Sequence, residues 1–170
     1  MKSLFKGLIA FVFVLNCAGI SQAAEVGSET GFKIPRMVSL RSSLINARSG
    51  PGTRYPIEWV YKQKGAPVEI ISEFEVWRKI RDWEGSESWV HKAMLSSDRR
   101  FVRVTTPGEN NIYAKPENGA KVIAKVEDGA VGEVEECPDK SGMCLIKFDN
   151  IKGWMQRSDL FGIYDDEVVK

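Results

Sequence analysis

The chain has 170 residues, 24 Lys and Arg against 23 Asp and Glu, one His, three Cys and 43% hydrophobic content, which rules out gross disorder. A net charge of +1 offers none of the clustered cations that displace counterions from a phosphate backbone, which argues against nucleic acid as the main partner. The lone His91 removes metal sites built from several imidazoles and most paired acid–base histidines.

At the N-terminus, Lys2 and Lys6 precede an apolar run from Leu8 to Leu15, and Ser21-Gln22-Ala23 forms a small-x-small cleavage pattern. This predicts a secretory signal peptide over residues 1–23, cut after Ala23. Eight apolar residues span only about 12 Å as a helix, too little for a membrane core of about 30 Å. Asn16 before Cys17 is a poor fit to lipoprotein processing. Removing those 23 residues leaves 147 and, with Lys2 and Lys6 gone, a formal charge of −1. No second long apolar run follows, so the mature chain is expected to be soluble in a periplasmic or extracellular, oxidising compartment with no membrane span.

Residues 24–36 read as a polar, flexible lead-in. Beyond them, short runs rich in Val, Ile, Trp, Tyr and Phe alternate with Gly, Pro, Asn and Asp, the signal of an all-β chain. Strands are predicted at 44–48, 57–62, 68–73, 76–82 and 88–91, with a tight turn at Glu84-Gly85-Ser86 and a short helical turn near 92–95. No window holds a 3.6-residue apolar period long enough for a major helix. Landmarks then recur at nearly constant spacing: Ala47 and Ala114, Gly65-Ala66 and Gly129-Ala130, Ile80 and Ile146, Trp89 and Trp154, Leu95 and Leu160. The spacing predicts a duplicated unit of about sixty residues, folded as two small barrels over 37–98 and 99–163. Barrel closure is the expected way to hide sheet edges. The junction falls at Ser97-Asp98-Arg99-Arg100, and 164–170 is left as an acidic tail.

In the first unit, Gly50, Pro51 and Gly52 are expected to supply positive and fixed φ angles for a folded-over loop. Trp77 and Ile80 have opposite parity on their strand, so one is expected in the core and the other exposed. Asn46-Ala47-Arg48-Ser49-Gly50-Pro51-Gly52-Thr53, Gly65, Trp77-Arg78-Lys79-Ile80, Gly85, Trp89-Val90 and Leu95 follow in order. That succession resembles the bacterial Src-homology-3 (SH3) domain, whose pattern runs N-x-R-x-G-P, G, W-x-K-V, G-x-x-G-W-V and a closing aliphatic residue. Ser88 stands where the family places Gly. The second unit is a divergent copy: it keeps Gly129, Ile146, Gly153-Trp154 and Leu160, but Met143 falls at the place of Trp77 and the N-x-R-x-G-P stretch is lost. The resemblance implies two SH3-like barrels that recognise cell-wall peptidoglycan or a protein or peptide partner.

Cys137 and Cys144 stand on two hairpin arms either side of the turn Pro138-Asp139-Lys140-Ser141-Gly142, which in an exported chain predicts a structural disulfide rather than a redox pair. His91 is expected to be an exposed or capping residue, since Gln156 is its counterpart in the second unit. Glu133, Glu135, Glu136 and the tail carboxylates read as solvated surface. The first unit carries more aromatics than a sixty-residue core encloses. Arg48, Tyr55, Trp77 and Trp83 are therefore the candidate ligand-contact residues; the competing reading is that the surplus aromatics pack against the second unit. No cofactor or metal is expected. The expected function is non-catalytic binding, with a structural adaptor in a periplasmic complex as the alternative and an unrecognised cell-wall enzyme third.

Overall fold

A computed structural model describes residues 25–117, 119–138 and 142–170. The expected signal peptide lies outside the described residues. The first repeat comprises β1 (Arg36–Leu40), β2 (Ile45–Arg48), β3 (Ile57–Tyr61), β4 (Pro67–Phe74), β5 (Trp77–Arg81), β6 (Glu87–His91), a 3-10 turn at Lys92–Met94 and β7 (Leu95–Ser96). The second comprises β8 (Phe101–Val104), β9 (Glu109–Tyr113), β10 (Val122–Glu127), β11 (Val131–Glu136), β12 (Met143–Phe148), β13 (Ile151–Gln156), a 3-10 turn at Arg157–Asp159 and β14 (Leu160–Phe161). Each forms one antiparallel sheet, ordered β3-β2-β6-β5-β4-β1-β7 and β10-β9-β13-β12-β11-β8-β14. The two orders are the same when seven is added to every strand number, so the duplication is complete at the level of topology.

The repeat extends to single hydrogen bonds. Leu40 N–H donates to Ala66 O and Gly65 N–H to Leu40 O; Val104 N–H donates to Ala130 O and Gly129 N–H to Val104 O. Both glycines sit at φ of +81°, a conformation that side chains rarely adopt, which is why Gly recurs there. Ile80 and Ile146 are both fully buried at the centres of two separate apolar cores. One landmark shifts. Arg48 pairs with Trp89 and Tyr113 with Trp154, so the counterpart of Ala47 is Ile112, not Ala114.

The sheets do not close as expected: among the described residues β3 pairs only with β2, and β10 only with β9, so each repeat keeps an open edge. Nor is 24–36 a loose lead-in where it is described. Val26 bridges to Lys33, Gly27 N–H donates to Phe32 O, and the resulting hairpin docks on β4. β1 follows directly. It was missed because Met37, Val38, Ser39 and Leu40 are all buried, so the run lacks the alternation of a half-exposed strand. The tail likewise packs on the second repeat, where Val169 bridges to Cys137.

The repeats are in direct contact. Gln63 donates to Gly129 O at 3.1 Å, Arg100 to Met37 O at 2.8 Å, and the Tyr164 hydroxyl to Glu69 at 2.9 Å.

Candidate functional site

The β2–β3 hairpin carries the glycine-rich loop. Ser49 N–H donates to Pro56 O, Gly52 N–H to Gly50 O and Tyr55 N–H to Gly52 O, which folds the loop back on itself. Neither Gly50 nor Gly52 has a positive φ. Their role is close approach: a Cβ on Gly50 would lie 2.5 Å from the Tyr55 ring. Arg48 locks the arrangement by donating to Tyr55 O at 2.7 Å. The structure thus brings Arg48 and Tyr55 together, both half-buried.

Trp77 and Trp83 lie elsewhere. Trp77 is only 8% exposed and stands edge-on to the His91 ring, with centroids 5.6 Å apart, so the parity expectation fails: Trp77 and Ile80 are both buried. Trp83 is half-buried beneath the Arg103 guanidinium of the second repeat, 4.1 Å from the ring centroid, and packs edge-on against Tyr61. It serves the contact between repeats, as the competing reading of the aromatics anticipated. His91 caps the 3-10 turn, its Nδ1 accepting from Ala93 N–H at 3.2 Å.

What β3 offers instead is an open edge with exposed apolar side chains. Ile57, Trp59 and Val60 are all more than two-fifths exposed, Trp59 and Val60 on opposite faces of the strand, and Leu44, just before β2, is exposed too. Arg48 lies directly across from Ile57, so the loop adjoins the start of that edge. An exposed apolar patch on an unpaired strand is informative in a way that a single exposed Leu is not.

Two buried carboxylates escaped sequence reasoning. Asp82 accepts from Glu84 and Ser86 N–H through Oδ1 and from the Tyr61 hydroxyl through Oδ2, at 2.9–3.0 Å. It is the organiser of the expected 84–86 turn. Burial, together with that carboxylate, pushes the Tyr61 phenol up. Glu73 has a fully buried side chain that accepts from Glu29 N–H, Thr30 N–H, the Thr30 hydroxyl and Arg36, at 2.8–3.0 Å, with Arg78 Nε at 3.3 Å. Burial alone raises its carboxyl, but these donors outweigh it and hold the group down at about 2. Gly27 covers it so closely that a Cβ would lie 2.4 Å from the carboxylate. Aspartates are frequent in turns, so Asp82 carried a weak local signal; apart from Arg78, the partners of Glu73 are more than thirty residues away and gave none.

In the second repeat, Cys137 and Cys144 form the expected disulfide, buried in the core. Met143 pairs with Gln156 as Trp77 pairs with His91, so it does stand in the place of that tryptophan. Among the described residues no group of three or more His, Cys, Asp or Glu is placed to hold a metal, and no helix is long and apolar enough to cross a membrane.

Compared with known families, residues 41–97 and again 106–162 match the bacterial SH3 domain. No curated protein matches the chain. Among solved structures, NlpC2 from Trichomonas vaginalis is similar over 76% of this chain and 49% of its own, at 16% identity and a TM-score of 0.33. NlpC1 from the same organism covers 79% and 48%, at 15% identity and the same TM-score. The chain spans about half the length of these structures.

Proposed function

The chain belongs to the bacterial SH3 domain family, in two tandem copies, and from that premise we propose that it is an exported, non-catalytic binding protein whose first repeat recognises cell-wall peptidoglycan or a peptide of the cell envelope. Residues 1–23 direct export, and recognition takes place outside the cytoplasm. The observation that carries the reading is the unpaired edge of β3, whose exposed Ile57, Trp59 and Val60 adjoin the loop that Arg48 and Tyr55 hold. Such an edge supplies main-chain hydrogen bonds to an extended ligand, while the exposed side chains supply contact area. An aromatic next to an oriented guanidinium is the usual composition of a binding hot spot.

Sedimentation with purified sacculi tests this. The wild-type protein is expected in the pellet, and Trp59→Ala is expected to be depleted about fivefold or more, since loss of a hot-spot aromatic costs more than about 1 kcal/mol. Trp59 is 51% exposed, so its removal leaves the core intact. Equal recovery of both proteins in the supernatant refutes wall binding. A second reading, an adaptor in a periplasmic complex, is favoured by the exposure of Val122 and Ile123 on the matching edge strand β10. Crosslinking in intact cells separates the two, yielding wall fragments in one case and a defined protein in the other.

A further inference from the structure

The two repeats present the same cationic corner in two states. By strand register Arg36 and Arg100 are counterparts: Arg36 lies across β4 from Ile70, and Arg100 O accepts from Val134 N–H at the matching position of β11. Lys92 and Arg157 are counterparts too, each opening its 3-10 turn. In the second repeat the corner is filled by the chain's own tail. Arg157 donates to Tyr164 O at 2.6 Å and to Glu167 O at 2.7 Å, while Arg100 pairs with the Glu167 carboxylate. An acidic segment folded in a turn, Glu167 N–H donating to Tyr164 O, and read through two main-chain carbonyls and one carboxylate, is thus the occupant that this corner accepts in cis.

In the first repeat the same corner is a cavity of about 310 Å³, whose lining includes Thr30, Phe32, Arg36, Lys92 and Ser96. Glu73 neutralises Arg78 and one arm of Arg36 from beneath. The other arm, Arg36 Nη1, is sheltered from solvent and donates to nothing among the described residues. Lys92 is exposed and makes no ion pair among them. No carboxylate lines the cavity. A buried donor without an acceptor is destabilising, a loss that an incoming acceptor would recover.

We propose that this cavity binds an acidic peptide segment of a partner protein, held in trans as the tail is held in cis: a carboxylate on Arg36 and main-chain carbonyls on Lys92. The Phe32 ring, 64% exposed and 5.6 Å from the Arg36 guanidinium carbon, turns aside to admit the carboxylate. The site is separate from the β3 edge, so the two readings fail independently.

The probe is the tail sequence itself, the amidated peptide Tyr-Asp-Asp-Glu-Val-Val, titrated into the full-length mature protein and followed by amide NMR. The expected result is saturable binding with Kd at or below about 1 mM, shifts centred on Thr30, Arg36, Ala93 and Ser96, and loss of binding when the three acids are replaced by Asn, Asn and Gln. Lys92→Gln, a surface change that leaves the fold intact, is expected to weaken it about threefold or more. Trp59→Ala is expected to leave it unchanged. Absence of saturable shifts, shifts confined to the second repeat, or equal binding of the neutralised peptide would each overturn the proposal.

Discussion

Gly153 and Ser88 pose the same packing problem with opposite solutions. They are counterparts, opposite Ile146 and Ile80 respectively. A Cβ on Gly153 would meet Ile112 Cγ2 at 2.4 Å, Tyr113 O at 2.9 Å and Ile123 Cδ1 at 3.0 Å. Its φ lies outside the left-handed region, so the demand is for space and not for backbone freedom. In the first repeat the position of Ile112 is held by Ala47, and the three carbons missing there make room for the buried Ser88. Gly153→Ser is therefore expected to destabilise the second repeat by about 2–3 kcal/mol through overpacking. Ile112→Ala alone removes a fully buried side chain and costs about 2–5 kcal/mol. Combined, they rebuild the Ala47/Ser88 arrangement, and the double variant should cost less than the sum by at least about 1 kcal/mol. Urea unfolding of the full chain, followed by the fluorescence of the neighbouring Trp154, reads the coupling. Additivity within about 0.5 kcal/mol would show that the two positions do not share one space and would refute the reasoning.

Acid should detach the N-terminal hairpin. Because the Glu73 carboxyl falls from 4.5 to about 2 on folding, its contribution is complete above the higher value and disappears as pH drops towards the lower. After allowance for solvent screening it amounts to about 2 kcal/mol, read as a rise in amide exchange over residues 27–32 below pH 4. Asp82→Ala strips the acceptor from two N–H groups and from the Tyr61 hydroxyl and should cost about 3 kcal/mol by thermal or urea unfolding. A value below about 1 would mean that water replaces the carboxylate. Reduction of Cys137–Cys144 should lower the stability of the second repeat by about 2.5 kcal/mol, the loop-entropy value for eight residues. Intact-mass analysis of the exported protein should show two hydrogens fewer than the free dithiol.

The parts legible in the sequence are those set by local rules. β2 to β6 announced themselves because Gly and Pro punctuate short β-branched and aromatic runs, and the duplication because the turn glycines and core residues recur. β1 and the N-terminal hairpin did not, because what fixes them is distant. Arg36, Thr30 and Gly27 take their meaning from Glu73, a carboxylate that reads in sequence as the solvent face of a strand. The same limit applies to Trp83, whose partner Arg103 belongs to the other repeat. Of the four candidate contact residues, Arg48 and Tyr55 are seven apart and meet through one loop. The sequence could not show that Trp77 turns to His91 and away from them.

The divergence of the second repeat is a change of chemistry at fixed positions. Glu73 and Arg78 face each other across β4 and β5. The register places Arg78 opposite Val90 and Cys144 opposite Met155, which makes Cys144 the counterpart of Arg78 and Cys137 that of Glu73. One hairpin is thus closed by a buried ion pair and the other by a disulfide. Each closure is covered by the nearest chain terminus, the 26–33 hairpin over Glu73 and Val169 over Cys137. The ion pair needs many donors to offset its desolvation, and these recruit the N-terminal hairpin as a structural element. The disulfide needs no such donors, so the tail over it is free to use its carbonyls and Glu167 on Arg157 and Arg100 instead. That difference accounts for the filled corner in one repeat and the open one in the other. It also means that acid should weaken the cover over Glu73 and a reductant the closure at Cys137–Cys144, two different handles on a duplicated frame.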